Sequence, residues 1–141
     1  MAVAALALAT GTGLLYRSRN GTMRPARPAA AGPAAAAPAG SGLTTADLGA
    51  PLGARATLVQ FSTAFCAPCR ATRQVLADVA AMTDGIAHVE IDAESHLDLV
   101  RRLDVRRTPT VLVLGPDGRI ARRASGQPRK ADVIAALGEV T

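Results

Sequence analysis

Hydrophobic positions fall into three regimes along this chain. Met1–Tyr16 is apolar or small throughout, interrupted only by Thr10 and Thr12. From Arg24 to Gly42, Pro25, Pro28, Pro33 and Pro38 punctuate a stretch of Ala, Gly and Ser. Beyond residue 43, compact apolar runs alternate with apolar residues at helical spacing. The run Thr57-Leu58-Val59-Gln60-Phe61 predicts a buried strand over 56–62. Ala71, Val75, Leu76, Val79 and Ala80 then recur at helical intervals and predict a helix over 65–83, which Gly85 helps to end. Residues 86–92 form a second strand. Leu97, Val100 and Leu103 give a short helix its apolar face, with Ser95 as its cap and Asp98 three residues on. Thr110–Leu114 is a third apolar strand, and Gly115-Pro116-Asp117-Gly118 turns the chain back into a fourth over 119–123. A last helix opens at Pro128 and turns Val133, Ile134 and Leu137 inward. Ahead of all this, Thr44 or Thr45 caps a short lead-in at Asp47-Leu48.

The order β-α-β-α-β-β-α predicts an α/β domain over 43–141, a central mixed sheet flanked by helices on both faces. About 100 residues suffice to bury a core without cross-links, and such a domain is expected to work as a monomer. Residues 17–42 read as a basic and then Pro/Ala-rich linker, because that composition cannot bury enough surface to offset the entropy of ordering it.

Residues 1–16 fall just short of the ~17–25 residues that span a bilayer. Arg17, Arg19, Arg24 and Arg27 follow the apolar stretch, whereas a secretory signal carries its positive charges in front. The segment therefore predicts a single-pass anchor in the cell membrane. The positive-inside rule puts the domain on the cytoplasmic side. An atypical secretory signal, which would leave the domain extracytoplasmic, and a non-spanning tail are the alternatives.

The net charge of +5 does not point to nucleic acid. Those four arginines precede residue 41, where no acidic residue occurs, and the rest of the chain is nearly neutral. Two Phe, one Tyr and no Trp supply no stacking platform for bases.

Cys66-Ala67-Pro68-Cys69 contains the only two cysteines. They lie where the first strand of the domain gives way to its helix, a position suited to opening and closing a disulfide. Backbone N–H groups at a helix N-terminus stabilise a thiolate, the nucleophilic form. Cys66 is thus the expected nucleophile, and Cys69, one turn further in, the resolving thiol. Pro68 fits the first helical turn, where its missing N–H is no loss. Zinc is disfavoured, since the downstream His88 and His96 are too far apart in sequence for the usual ligand spacing. Haem attachment is excluded by Arg70 after the second cysteine. Arg70 and Arg73 could raise the local positive potential and favour a Cys66 thiolate, but exposed helix charges are usually solvated and worth little.

From Phe61 to Arg70 the chain resembles the active-site segment of the thioredoxins. Thr108-Pro109-Thr110 resembles their cis-proline loop, and Gly126 the glycine that borders their substrate groove. The resemblance covers about residues 43–140. It implies a thioredoxin-like fold and a thiol–disulfide oxidoreductase that reduces protein disulfides, fed by an upstream thiol reductant. It implies no cofactor beyond the Cys66–Cys69 couple and no metal. Phe65, Ala67, Pro68, Thr108, Pro109 and Gly126 would then line the substrate site, with Pro109 cis and the Thr108 backbone pairing with an extended substrate.

This chain departs from the family pattern at four positions. Phe65 stands where Trp is usual, and Ala67 where Gly is. Gln60 takes the place of the buried acid that assists the second cysteine, and His88 that of the charged residue facing it. Gln60 and His88 are accordingly candidate proton-relay residues, His88 because its ordinary pKa lies near working pH. Two other functions remain open: an extracytoplasmic reductase of apocytochrome or envelope thiols, and a non-catalytic docking module on the same fold.

Overall fold

The computed structural model describes residues 2–26 and 42–141. The elements, in chain order, are α1 (Ala2–Arg19), β1 (Arg24–Pro25), α2 (Thr45–Leu48), β2 (Ala56–Ser62), α3 (Ala67–Met82), β3 (Ile86–Asp92), α4 (Leu97–Arg102), β4 (Thr110–Leu114), β5 (Ile120–Ser125) and α5 (Lys130–Gly138). They build one five-stranded sheet in the order β1-β5-β4-β2-β3. β2 lies between β3, to which it is parallel, and β4, to which it is antiparallel. β5 is antiparallel to both β4 and β1.

The period-two alternation of the strands divides the core in two. Leu58 on β2 and Val111 and Val113 on β4 point to one face, where they pack with Leu76 and Val79 of α3 and Val133, Ala136 and Leu137 of α5. Val59, Phe61, Val89, Ile91, Leu112 and Leu114 point to the other, against Leu48 of α2 and Leu99 of α4. Every residue of β2 is buried, as a strand covered on both faces requires. Gln60 is thereby held inside the α3 side of the core.

Element ends follow local chemistry. Thr44 caps α2 in a reciprocal box with Asp47. The helix expected over 65–83 starts later, because Cys66 itself is the N-cap and Phe65 lies outside. Ser95 does not cap α4. Its hydroxyl is taken by Asp92 at 2.5 Å, and His96 stands at the cap position.

The N-terminal region differs from expectation. Residues 2–19 are helical, but no helix among the described residues is long and apolar enough to cross a membrane. The expected spanning anchor is corrected accordingly. Thr10, Gly11, Thr12 and Gly13 dilute its apolar character, and the helix runs on into the charged Arg17 and Arg19. The orientation read from the arginines was tied to that span. Asn20–Ala26, which composition assigns to the linker, runs along β5: Gly21 N donates to Ser125 O at 2.8 Å, and Arg24 and Pro25 pair with Arg123 and Arg122. Gly21 has φ +73, and a side chain there would strike the Gln127 carbonyl, so only glycine fits. The remaining proline-rich stretch, with Arg27, lies outside the described residues.

Leu58 has no exposed surface in the centre of the sheet. Leu58→Ala is expected to lower the unfolding free energy by ~2–5 kcal/mol, measured as a shift of the guanidinium midpoint at unchanged slope. A loss below ~1 kcal/mol would show that the α3 face tolerates collapse around β2.

Candidate active site

Cys66 and Cys69 form a disulfide with an S–S distance of 2.02 Å and Cα atoms 5.1 Å apart. Cys66, four residues beyond the end of β2, is extended (φ −109, ψ 97) and caps α3. The Cys69 N–H donates to the Cys66 sulfur at 3.2 Å, and the same amide approaches the Cys66 carbonyl at 3.1 Å. Pro68 occupies the first turn without loss of a hydrogen bond. Its carbonyl instead accepts from Thr72 Oγ1 at 2.9 Å. The two sulfurs are not equivalent: Cys66 retains 9% of its surface and Cys69 1%. The first is the one an incoming disulfide can reach.

The Thr108–Pro109 peptide bond is cis. Thr63, three residues before Cys66, meets Thr108 side chain to side chain at 3.3 Å, so the proline loop is carried to the dithiol. Gly126 closes on the same loop, its N–H donating to the Pro109 carbonyl at 2.7 Å. Phe65 is fully exposed beside Cys66, and Ala67 is exposed in the turn between the thiols. Cys66, Cys69, Phe65, Ala67, Pro68, Thr108, Pro109 and Gly126 therefore gather at one end of the sheet.

Beneath Cys69 lies a polar chain. Gln60 Nε2 donates to the Cys69 carbonyl at 2.8 Å and to Ser62 Oγ at 2.9 Å. On β3, Glu90 lies beside Gln60 in register and grips Arg73 of α3 in a two-pronged pair of 2.6 and 2.7 Å. That guanidinium, helped by Ser62, holds the Glu90 carboxyl below the usual range. Arg73 is thus paired with a carboxylate on β3. Arg70 is exposed.

Two buried atoms have no partner among the described residues: Gln60 Oε1 and His88 Nε2. Gln60 pairs with Glu90 and Leu58 with His88, so both atoms belong to side chains on the α3 face of adjacent strands. Burial pushes the His88 pKa down; Glu90 opposes this and Arg73 adds to it. His96 lies outside the site, at the α4 cap, with Nδ1 3.0 Å from the Asp92 carbonyl.

Ser62, Glu90 and Thr63 are site residues that the sequence reading passed over. Ser62 and Gln60 share a strand face by simple alternation, which was a usable signal. The Arg73–Glu90 pair joins separate elements and had none.

A thioredoxin family model matches residues 49–139. Thioredoxin H5 of Oryza sativa subsp. japonica is 28% identical over 72 residues, which is 51% of this chain and 53% of that protein. The chain thus spans about half the length of this curated relative. Among solved structures, a mutant thioredoxin from Halobacterium salinarum NRC-1 superposes with a TM-score of 0.57 at 23% identity, over 62% of this chain and 75% of that one. The thioredoxin of Fasciola hepatica gives 0.56 at 19%, over 63% and 84%. At such identities the superpositions establish the fold.

A histidine whose folded-state pKa lies below its unfolded value binds fewer protons folded than unfolded. Its contribution to stability is therefore present above the unfolded pKa and is lost as pH falls. The stability of the oxidised protein is expected to decline below about pH 6.5, partly through His88, and His88→Asn should flatten that decline. Denaturant titrations from neutral pH into the acid range measure it; parallel curves for both proteins would remove His88 as a cause.

Proposed function

The chain belongs to the thioredoxin family, and on that premise we propose that it is a thiol–disulfide oxidoreductase that reduces protein disulfides through Cys66 and Cys69. The observation that carries this reading is the Cys66–Cys69 disulfide at the cap of α3, with Cys66 the more exposed of its two residues. Family members use a redox-active disulfide and need no bound cofactor.

In the reduced form the Cys66 thiolate attacks one sulfur of a substrate disulfide. That S–S bond breaks, a mixed disulfide forms, and the first substrate thiol leaves after taking a proton. Cys69 then attacks Cys66, releasing the second thiol and closing the Cys66–Cys69 bond. Two electrons and two protons pass to the substrate, and a dithiol reductant restores them to the protein. The first-turn N–H of Cys69, already aimed at the Cys66 sulfur, favours its charged form in the attack on the substrate disulfide. Thr108 offers its backbone to the substrate chain, with Phe65 and Gly126 flanking the groove.

Two variants separate catalysis from docking. Cys66→Ser is expected to abolish reduction of insulin by a dithiol donor. Cys69→Ser should accumulate a mixed disulfide through Cys66, visible by mass spectrometry under non-reducing conditions. A Cys66→Ser protein that keeps full insulin turnover would leave only a docking module.

On the same reading, His88 takes up the proton that Cys69 releases, and Gln60 positions the Cys69 turn without ionising. Both orphan atoms lie on this side of the sheet. His88→Ala should slow release of the second product, about tenfold in stopped-flow, with the first attack unaltered. Equal release rates would remove His88 from the relay.

A further inference from the structure

The N-terminal segment passes the end of the sheet that carries the dithiol. It follows the outer side of β5, from Ala26, whose N–H donates to Ala121 O at 3.2 Å, to Gly21 against Ser125. Asn20 is then delivered beside Gly126. A Cβ built on Gly126 would collide with Asn20 Oδ1 and come within 2.6 Å of the Arg107 guanidinium, so the asparagine side chain fills the space over this glycine. Gly126 is itself hydrogen-bonded to Pro109. Asn20 therefore sits one residue from the cis-proline loop.

Its position is secured twice. Arg107, two residues before Pro109, donates to Asn20 Oδ1. The same guanidinium lies over the Tyr16 ring, 5.8 Å from its centre, tying the last turn of α1 to the loop. Arg107 has no acidic partner among the described residues, whereas its neighbour Arg106 pairs with Asp104 at 2.9 Å. Its bonds go to the N-terminal segment.

Resting on the reductase reading above, we propose that Asn20, held by Arg107, is a specificity-determining residue that closes the Gly126 end of the substrate groove. A substrate chain lying along Thr108 toward Gly126 meets the asparagine side chain. Disulfides on narrow or flexible chains are reduced faster than those embedded in a bulky protein surface. Discrimination of this kind comes from a built-in obstruction as much as from attraction.

The pre-reduced full chain is mixed with excess bis(2-hydroxyethyl) disulfide or with insulin. Oxidation of Cys66 and Cys69 is followed by rapid quenching, alkylation and mass spectrometry. Asn20→Ala is expected to raise the ratio of the insulin rate to the small-disulfide rate about fivefold, roughly 1 kcal/mol of discrimination. Arg107→Gln, which releases Asn20, should raise the same ratio even though it removes a positive charge facing acidic insulin. A ratio that stays the same or falls in both variants overturns the proposal. Failure of the unmodified chain to be oxidised by either substrate would instead overturn the reductase reading, and this inference with it.

Discussion

The backbone N–H of Cys69 points at the sulfur of Cys66 because α3 begins directly after Cys66, with only residues 63–66 between it and the end of β2. That junction is the constraint on which the site depends. A sulfur at the cap of a helix meets the partial positive charge of the unpaired first-turn amides, an interaction that decays within one turn. Displacing the start of α3 by a residue would rotate both thiols away from the proline loop. The buried β2, gripped by β3 and β4 and covered on each face, fixes the junction from below. Leu76 and Val79 on the inner face of α3 fix it from above.

Gln60 shows what burial of this junction demands. A polar side chain in a strand without solvent must find partners, or its desolvation costs about 1–3 kcal/mol. The Gln60 amide nitrogen finds two, the Cys69 carbonyl and Ser62, while its Oε1 has none among the described residues. A carboxylate at position 60 would have offered only acceptors and could not donate to the Cys69 carbonyl when ionised. The glutamine thus donates to the Cys69 carbonyl whatever the pH, where an acid would alternate between two states.

The fold from β2 onward was legible because its signals are local. Short apolar runs, helical spacing and turn residues placed β2, β3 and β4 at their observed positions and the dithiol at the mouth of α3. Less legible were the features made by residues distant in sequence. Arg73 reads as a charge beside Cys69 until β3 brings Glu90 to it, and Asn20 carries no local signature at all. Apolar composition misled at the N-terminus for a related reason: it registers hydrophobic residues singly, whereas crossing a bilayer needs an uninterrupted length of them. Arg24 and Pro25 illustrate the opposite error. Their composition suggests linker, but β5 offers an open ladder edge that two extended residues can join.

β1 has a consequence for the solution behaviour of the protein. An open strand edge is a template on which a second chain can grow. β5 would present such an edge if Gly21–Ala26 did not lie along it. The two-residue strand that covers β5 cannot hand the template on: Pro25 has no N–H to offer outward, and Arg24 sets a charge beside it. The same few residues that deliver Asn20 to the groove also cover the β5 edge, so weakening their grip on β5 should expose the protein to edge-to-edge self-association.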